Sequence, residues 1–260
     1  VILRRTKDEV TDLPPKVFEE LVVPVERELL EQLDEITQEC IVEIMKGRVP
    51  KFPKMATVRK ALEISRIPAA LARIQSFEAQ GTPLVVFADH RALIEQLRGR
   101  AGWGVVMGGT STDERDRIFE GFQRGDLIGV AGTIKAMNVS ATLTRASHEL
   151  FVGQSLARTQ NKQAQDRCHR IGQTGTVNIT IMMSDHPFDQ HLADLLAAKD
   201  TFVERVLDER MEYTPGGGLV AETREAWLSR LPEHARARYA REAEVQLSRL
   251  DVMRRIAKVP

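Results

Sequence analysis

The stretch LVVFADHRALIEQLRGRAGWGVVMGGTSTDERDRIFEGFQRGDLIGVAGT, residues 84–133, decides the fold. Short apolar runs, LVVFA, GVVM and LIGVAG, alternate in it with the amphipathic stretches HRALIEQLRGR and TDERDRIFEGFQRGD. Strands alternating with helical patterns of about ten to fifteen residues form βαβ units, whose parallel sheet is covered by helices on both faces. The fold class is therefore α/β.

The same texture continues downstream, where HELFVG and TVNITIMM read as two further strands and QAQDRCHRIGQ, residues 163–173, as a helix between them. FDQHLADLLAAKDTFVERVLDERM is expected to be a helix returning from the last strand. Upstream, Leu29, Leu33, Ile36, Cys40 and Ile44 recur at steps of three and four, an amphipathic helix that Gly47, Pro50 and Pro53 break. A second helical pattern, VRKALEISRIPAALARIQSFEAQ, stops at Gly81. The expected division is an arm over 1–80, the α/β lobe over 81–213, a TPGGG linker at 214–218 and a helical tail over 219–260.

With 37 basic and 37 acidic residues in 260 the net charge is zero, so any nucleic-acid binding must rest on local patches. The two cysteines, Cys40 and Cys168, form no CxxC pair or disulfide framework. VILRRTKDEV has no apolar signal core, and no run of about 18 apolar residues suggests a membrane span. The expectation is a cytoplasmic protein that engages no membrane.

In open α/β sheets, functional groups collect on loops at the carboxyl ends of the strands. Asp89 and His90, Gly108 to Thr112, Thr133 with Lys135, and Gln154 to Arg158 occupy those positions here. If 163–173 is a helix, Gln163, Arg167 and Arg170 at i, i+4 and i+7 share one face, which could grip an anion. The plain alternative is a solvated face with Arg167 and Arg170 paired locally to Asp166. His169, with nothing at metal spacing beside it, is expected to be structural, and no metal site is expected in the chain.

Taken together, LRRTKDEVTDLPPK, LVVFADHRALIEQL, GGTSTDERDRIFEGFQRGD, AGTIKAMNVSATLTRA and QAQDRCHRIGQ resemble the C-terminal RecA-like lobe of Swi/Snf-type DNA translocases, in helicase superfamily two. The resemblance runs from residue 1 to about residue 206, and is nearest in flavour to the bacterial and annealing-helicase-like branch. It implies a RecA-like parallel sheet preceded by a brace segment and helical arm and followed by a helical tail. It also implies that Arg167 and Arg170 are arginine fingers directed at the γ-phosphate of ATP on a partner lobe. Gln163 opens that motif, and Asp166 supports the same site. The resemblance further implies a DNA-backbone contact at Thr133, with Lys135, Gly109 and Arg115 as neighbouring DNA-binding positions and Phe122 as core. Arg4, Arg5 and Lys7 fall in the brace.

Neither GxxxxGK[ST] nor a DExH tetrapeptide occurs, so the phosphate cradle and the magnesium-binding acid of a P-loop lobe are absent from this sequence. ATP and magnesium are expected to be held mainly by a P-loop lobe supplied in cis or in trans, with double-stranded DNA as the other partner. The chain alone is expected not to hydrolyse ATP.

Two departures favour a rival reading, a non-catalytic nucleic-acid-binding or scaffold module. Met137, Asn138 and Ser140 stand where the family has a glycine-rich turn, which is expected to set side chains against an approaching backbone. Leu156 and Arg158 stand in place of the family's tryptophan and proline.

Overall fold

The computed structural model describes residues 13–33, 36, 52–137, 141–186 and 188–189. They form one six-stranded parallel sheet in the order β1-β6-β5-β2-β4-β3, with β1 Lys16–Val23, β2 Leu84–Ala88, β3 Trp103–Val106, β4 Gly129–Thr133, β5 His148–Phe151 and β6 Val177–Ser184. Helices α1 Phe52–Ser65 and α2 Ile67–Ala79 precede β2; α3 Ala92–Gln96, α4 Thr112–Arg124, α5 Ile134–Met137 and α6 Arg158–Gln165 fill the crossovers. This is the parallel α/β architecture that the alternation of residues 84–133 predicts, and the RecA-like sheet that the resemblance implies.

Parallel strands buried on both faces must be apolar throughout, and β2 and β4 are buried at every position. One face packs Val85, Phe87, Val130 and Phe151 against Phe119 and Phe122 of α4 and Ala164 of α6. Phe87 and Phe151 stack with ring centroids 4.6 Å apart. The other face packs Val86, Ala88, Ala131 and Leu150 against Ile67, Ala70 and Ile74 of α2 and Leu93 and Ile94 of α3. Phe122 is fully buried, as expected, and Trp103 packs with its indole N–H donating to Glu78 at 2.7 Å.

The helix boundaries follow local chemistry. At α4 the Ser111 hydroxyl accepts from the Glu114 N–H, Asp113 and Glu114 lie in the first turn, and Gly125 closes the end at φ +99°. α1 and α2 form a single helical pattern in the sequence, but they break at Arg66, and Pro68 falls in the first turn of α2, where its missing N–H costs nothing.

Lys16–Val23, where a strand or extended run is expected after Pro14 and Pro15, pair along their whole length with β6, so the sheet reaches into residues 1–80, and residues 27–33 are helical as expected. One expectation meets a difference: in QAQDRCHRIGQ, α6 ends at Gln165, Asp166 is its C-cap, and residues 166–172 are turns and bends. The return helix after β6 lies outside the described residues except for Phe188 and Asp189; the linker and the tail lie outside them entirely. Among the described residues no helix is long and apolar enough to cross a membrane.

Candidate functional site: the arginine turn and the carboxyl edge of the sheet

Because every strand runs the same way, the loops after β2, β3, β4 and β5 open on one edge. Asp89 and His90 leave β2, Gly108 to Thr112 leave β3, Thr133 ends β4 and Gln154 follows β5. Thr133 is mostly buried, and Lys135 on α5 is exposed. Gly109 takes φ +105°, a conformation L side chains rarely adopt, and nothing stands within 4 Å of where its Cβ would be. Arg115 is half-buried and donates to the Thr112 hydroxyl at 3.2 Å, which ties it to the first turn of α4.

Met137 corrects one expectation. Its side chain is fully buried on the sheet, so near Gly132 that a Cβ there would lie 2.5 Å from Met137 Cγ. It therefore fills the core and presents nothing to an approaching backbone. Asn138 and Ser140 lie outside the described residues.

The arginine segment is built as a turn, because its backbone is claimed by the segment before β5. The Leu143 N–H donates to the Arg167 carbonyl at 2.9 Å, and the Gln173 side-chain amide donates to the carbonyls of Thr144, Ala146 and Cys168. His169 is buried with Nε2 2.7 Å from the Pro14 carbonyl, the structural role expected of it. Gly172 at φ +105° lets the chain leave toward β6. The single helical face carrying Gln163, Arg167 and Arg170 is thus replaced: Gln163 is exposed on α6, and the two arginines sit beyond its end on the turn.

Among the described residues, no carboxylate stands in ion-pair contact with either guanidinium. Asp166, the nearest acid in sequence, accepts at Oδ1 from Lys16 Nζ at 2.7 Å. Arg167 is half-buried, its Nε has no hydrogen-bond partner, and its pKa is lowered, first by burial and then by the charge of Arg170, with Asp166 acting the other way. Arg170 is exposed, with one long contact of 3.5 Å to the Ala141 carbonyl.

Sequence reasoning missed what the arm contributes to this edge. Arg59 of α1 donates to Asp89 Oδ2 and to the Gln154 carbonyl, both at 2.7 Å. Glu63 takes the His90 backbone N–H at 2.8 Å and lies 2.8 Å from His90 Nδ1. Gly153 makes room for it, since a Cβ there would fall 2.0 Å from Glu63 Oε2. Ligand atoms of Glu63, Asp89 and His90 lie within 4.8 Å of one another, but Arg59 and the His90 N–H already engage the carboxylates. The group is a closed ion-pair network tying the arm to the sheet edge.

The helicase conserved C-terminal domain matches residues 66–172. The chain is 25% identical over 229 residues to the human (Homo sapiens) DNA annealing helicase and endonuclease ZRANB3, which covers 82% of this chain and 21% of that protein. It is 26% identical over 213 residues to the SWI/SNF-related matrix-associated actin-dependent regulator of chromatin subfamily A-like protein 1 of Xenopus tropicalis, 76% of this chain and 22% of that one. It is also 25% identical over 238 residues to the putative ATP-dependent helicase/translocase YwqA of Bacillus subtilis, covering 79% and 26%. The chain spans between 21% and 26% of the length of these relatives. Among solved structures, the C-terminal part of the Fun30 ATPase domain superposes with a TM-score of 0.58 at 15% identity, covering 71% of this chain and 90% of that one. That likeness confirms the fold.

Proposed function

We propose that the chain is the second motor lobe of an ATP-dependent double-stranded-DNA translocase, supported by the match of residues 66–172 to the helicase conserved C-terminal domain and by the similarity to helicase and SWI/SNF-related proteins. In this reading ATP and magnesium are held mainly by a P-loop lobe, in cis or in trans, and closure of the two lobes brings the arginine turn to the γ-phosphate. The observation that carries the reading is the open guanidinium pair of Arg167 and Arg170, adjacent, like-charged and without a carboxylate partner among the described residues.

Planar, permanently charged guanidinium forks suit the equatorial oxygens of a transferring phosphoryl group. ATP bound on the other lobe would supply the phosphoryl group. Within this chain Arg170, exposed, would make the contact, and Arg167, half-buried and short of partners, would complete it. Asp166 is engaged by Lys16 at 2.7 Å and stands in no ion-pair contact with either guanidinium among the described residues. Gln163, exposed on the preceding helix, lines the approach.

For the nucleic acid, the exposed Lys135 and the open Gly109 turn are suited to a phosphate backbone, with Thr133 and Arg115 behind them. The burial of Met137 removes one argument for a non-catalytic module. The reading is tested by DNA-stimulated ATP hydrolysis of this chain combined with its P-loop lobe, run beside each part alone. Turnover only in the combination is the expected result. Turnover by the P-loop lobe alone at the same rate would overturn the proposal. Lys135→Ala is expected to weaken duplex binding and to reduce the slope of log affinity against log salt by about 1, the loss of one phosphate contact.

A further inference from the structure

Beneath the arginine turn lies a group that the proposed mechanism does not use. Glu149 sits in the middle of the sheet on β5, 1% exposed, with Val85 of β2 and Ile179 of β6 as its register partners. Its side chain points to the face that carries α6, where the fully buried Cys168 interacts with it. Neither carboxyl oxygen makes a hydrogen bond of regular geometry, and the thiol and backbone N–H of Cys168 are the groups that interact with it. Lys16 of β1 and Asp166 are the charged groups that also act on it, and Lys16 is already engaged by Asp166. β2 and β6 bring no charge of their own at its register positions.

A carboxylate without a cation is costly in such a place, and the group keeps its proton instead. Burial pushes the Glu149 carboxyl up to about 8, and burial together with Glu149 pushes the Cys168 thiol up as well. At neutral pH the site therefore holds a neutral acid against a neutral thiol, and Cys168 lies in sequence directly between Arg167 and His169.

We propose that Glu149 is a positioning residue for the arginine turn: as a neutral carboxylic acid it seats Cys168, and with it Arg167 and Arg170, and on losing its proton it unseats them. The proton leaves to solvent, and the carboxylate formed must then draw Lys16 from Asp166 or admit water. Either change releases the Lys16–Asp166 tie and loosens the backbone of residues 166–170. The functional meaning of the switch rests on the finger reading above, but its physical operation does not.

The test therefore uses the full chain without nucleotide or DNA. Amide hydrogen exchange of residues 163–173, corrected for the intrinsic effect of pH, is measured from pH 6.5 to 9.5 on the native chain and on Glu149→Gln, which keeps the shape and cannot ionise. Protection in the native chain is expected to fall by up to about tenfold for each pH unit as pH rises toward the midpoint and to level off beyond it, and to stay level throughout in the variant. Equal pH dependence in the two proteins would overturn the proposal. Should the variant fail to fold, carboxyl carbon resonances of the native protein decide it. A Glu149 midpoint near 8 that coincides with the loss of protection supports the switch, and a midpoint below 6 refutes it. A turn that moves with Glu149 while Arg170→Ala leaves ATP turnover intact would discard the finger reading and keep this one.

Discussion

Arg66 and Arg170 are two arginines used in opposite ways. Arg66 is buried at the break between α1 and α2, where it donates to the carbonyls of Val152 and Met182 at 2.8 and 3.2 Å and is paired to Asp189, which also takes the Ser184 N–H. Arg170 is exposed on a turn, beside a second guanidinium, with one long contact to a carbonyl. A buried charge must be answered inside the fold, and Asp189 answers Arg66. A guanidinium that the fold does not answer is available to a ligand. Arg59, closed by Asp89, belongs with Arg66; Arg167, with no carboxylate in ion-pair contact among the described residues, belongs with Arg170.

If that contrast is sound, breaking the closed pair costs stability. Arg66→Ala leaves Asp189 buried without its cation, and chemical denaturation is expected to show a loss of about 3–5 kcal/mol. A loss below about 1 kcal/mol would mean that the pair is solvated, and the contrast would fail.

The buried carboxyls give the next effect. Asp189 has a cation and Glu149 has none, so Glu149 keeps its proton in the fold up to about 8 while the unfolded chain gives it up near the ordinary carboxyl value of 4.5. Native protein then binds the extra proton between those values, and stability falls as pH rises through that window, with no contribution below it and a constant penalty above it. Glu149→Gln removes the dependence. Its stability relative to the native chain is expected to rise by up to about 1.4 kcal/mol per pH unit between pH 4.5 and 8, as read from melting curves. A flat difference would show that Glu149 is already paired.

The smallest effect is a control. Ser111→Ala removes the cap of α4 and is expected to cost about 1 kcal/mol without touching either class of arginine. A larger loss accompanied by changed exchange at residues 163–173 would tie α4 to the arginine turn.

The sheet was legible because its buried strands are short apolar runs: LVVFA and LIGVAG leave no exposed face to disguise the pattern. β1 was harder, since an edge strand alternates less cleanly, and KVFEELVV carries Glu19 and Glu20 while exposing Val17, Phe18 and Val22. The arginine segment misled in the opposite way. Its spacing fits a helix, but the carbonyls of Arg167 and Cys168 are taken by Leu143 and Gln173, and tertiary hydrogen bonds overrode the local period. Glu63 and Arg59 gave no signal at all, because their partners at His90 and Asp89 lie about thirty residues on, a pairing only the fold creates. Glu149 did leave a trace, a lone acid inside the apolar run HELFV, and only burial from both sides turned it into a perturbed group.

The most direct measurement is DNA-stimulated ATP turnover and duplex affinity, taken together, for Arg170→Ala in the presence of the P-loop lobe. The account predicts that turnover falls by about 10³ or more, the range for a lost arginine finger, while DNA affinity and thermal stability stay close to those of the native protein. Turnover within a factor of about three of the native rate would contradict it, leaving the open guanidinium pair without a role in phosphoryl transfer.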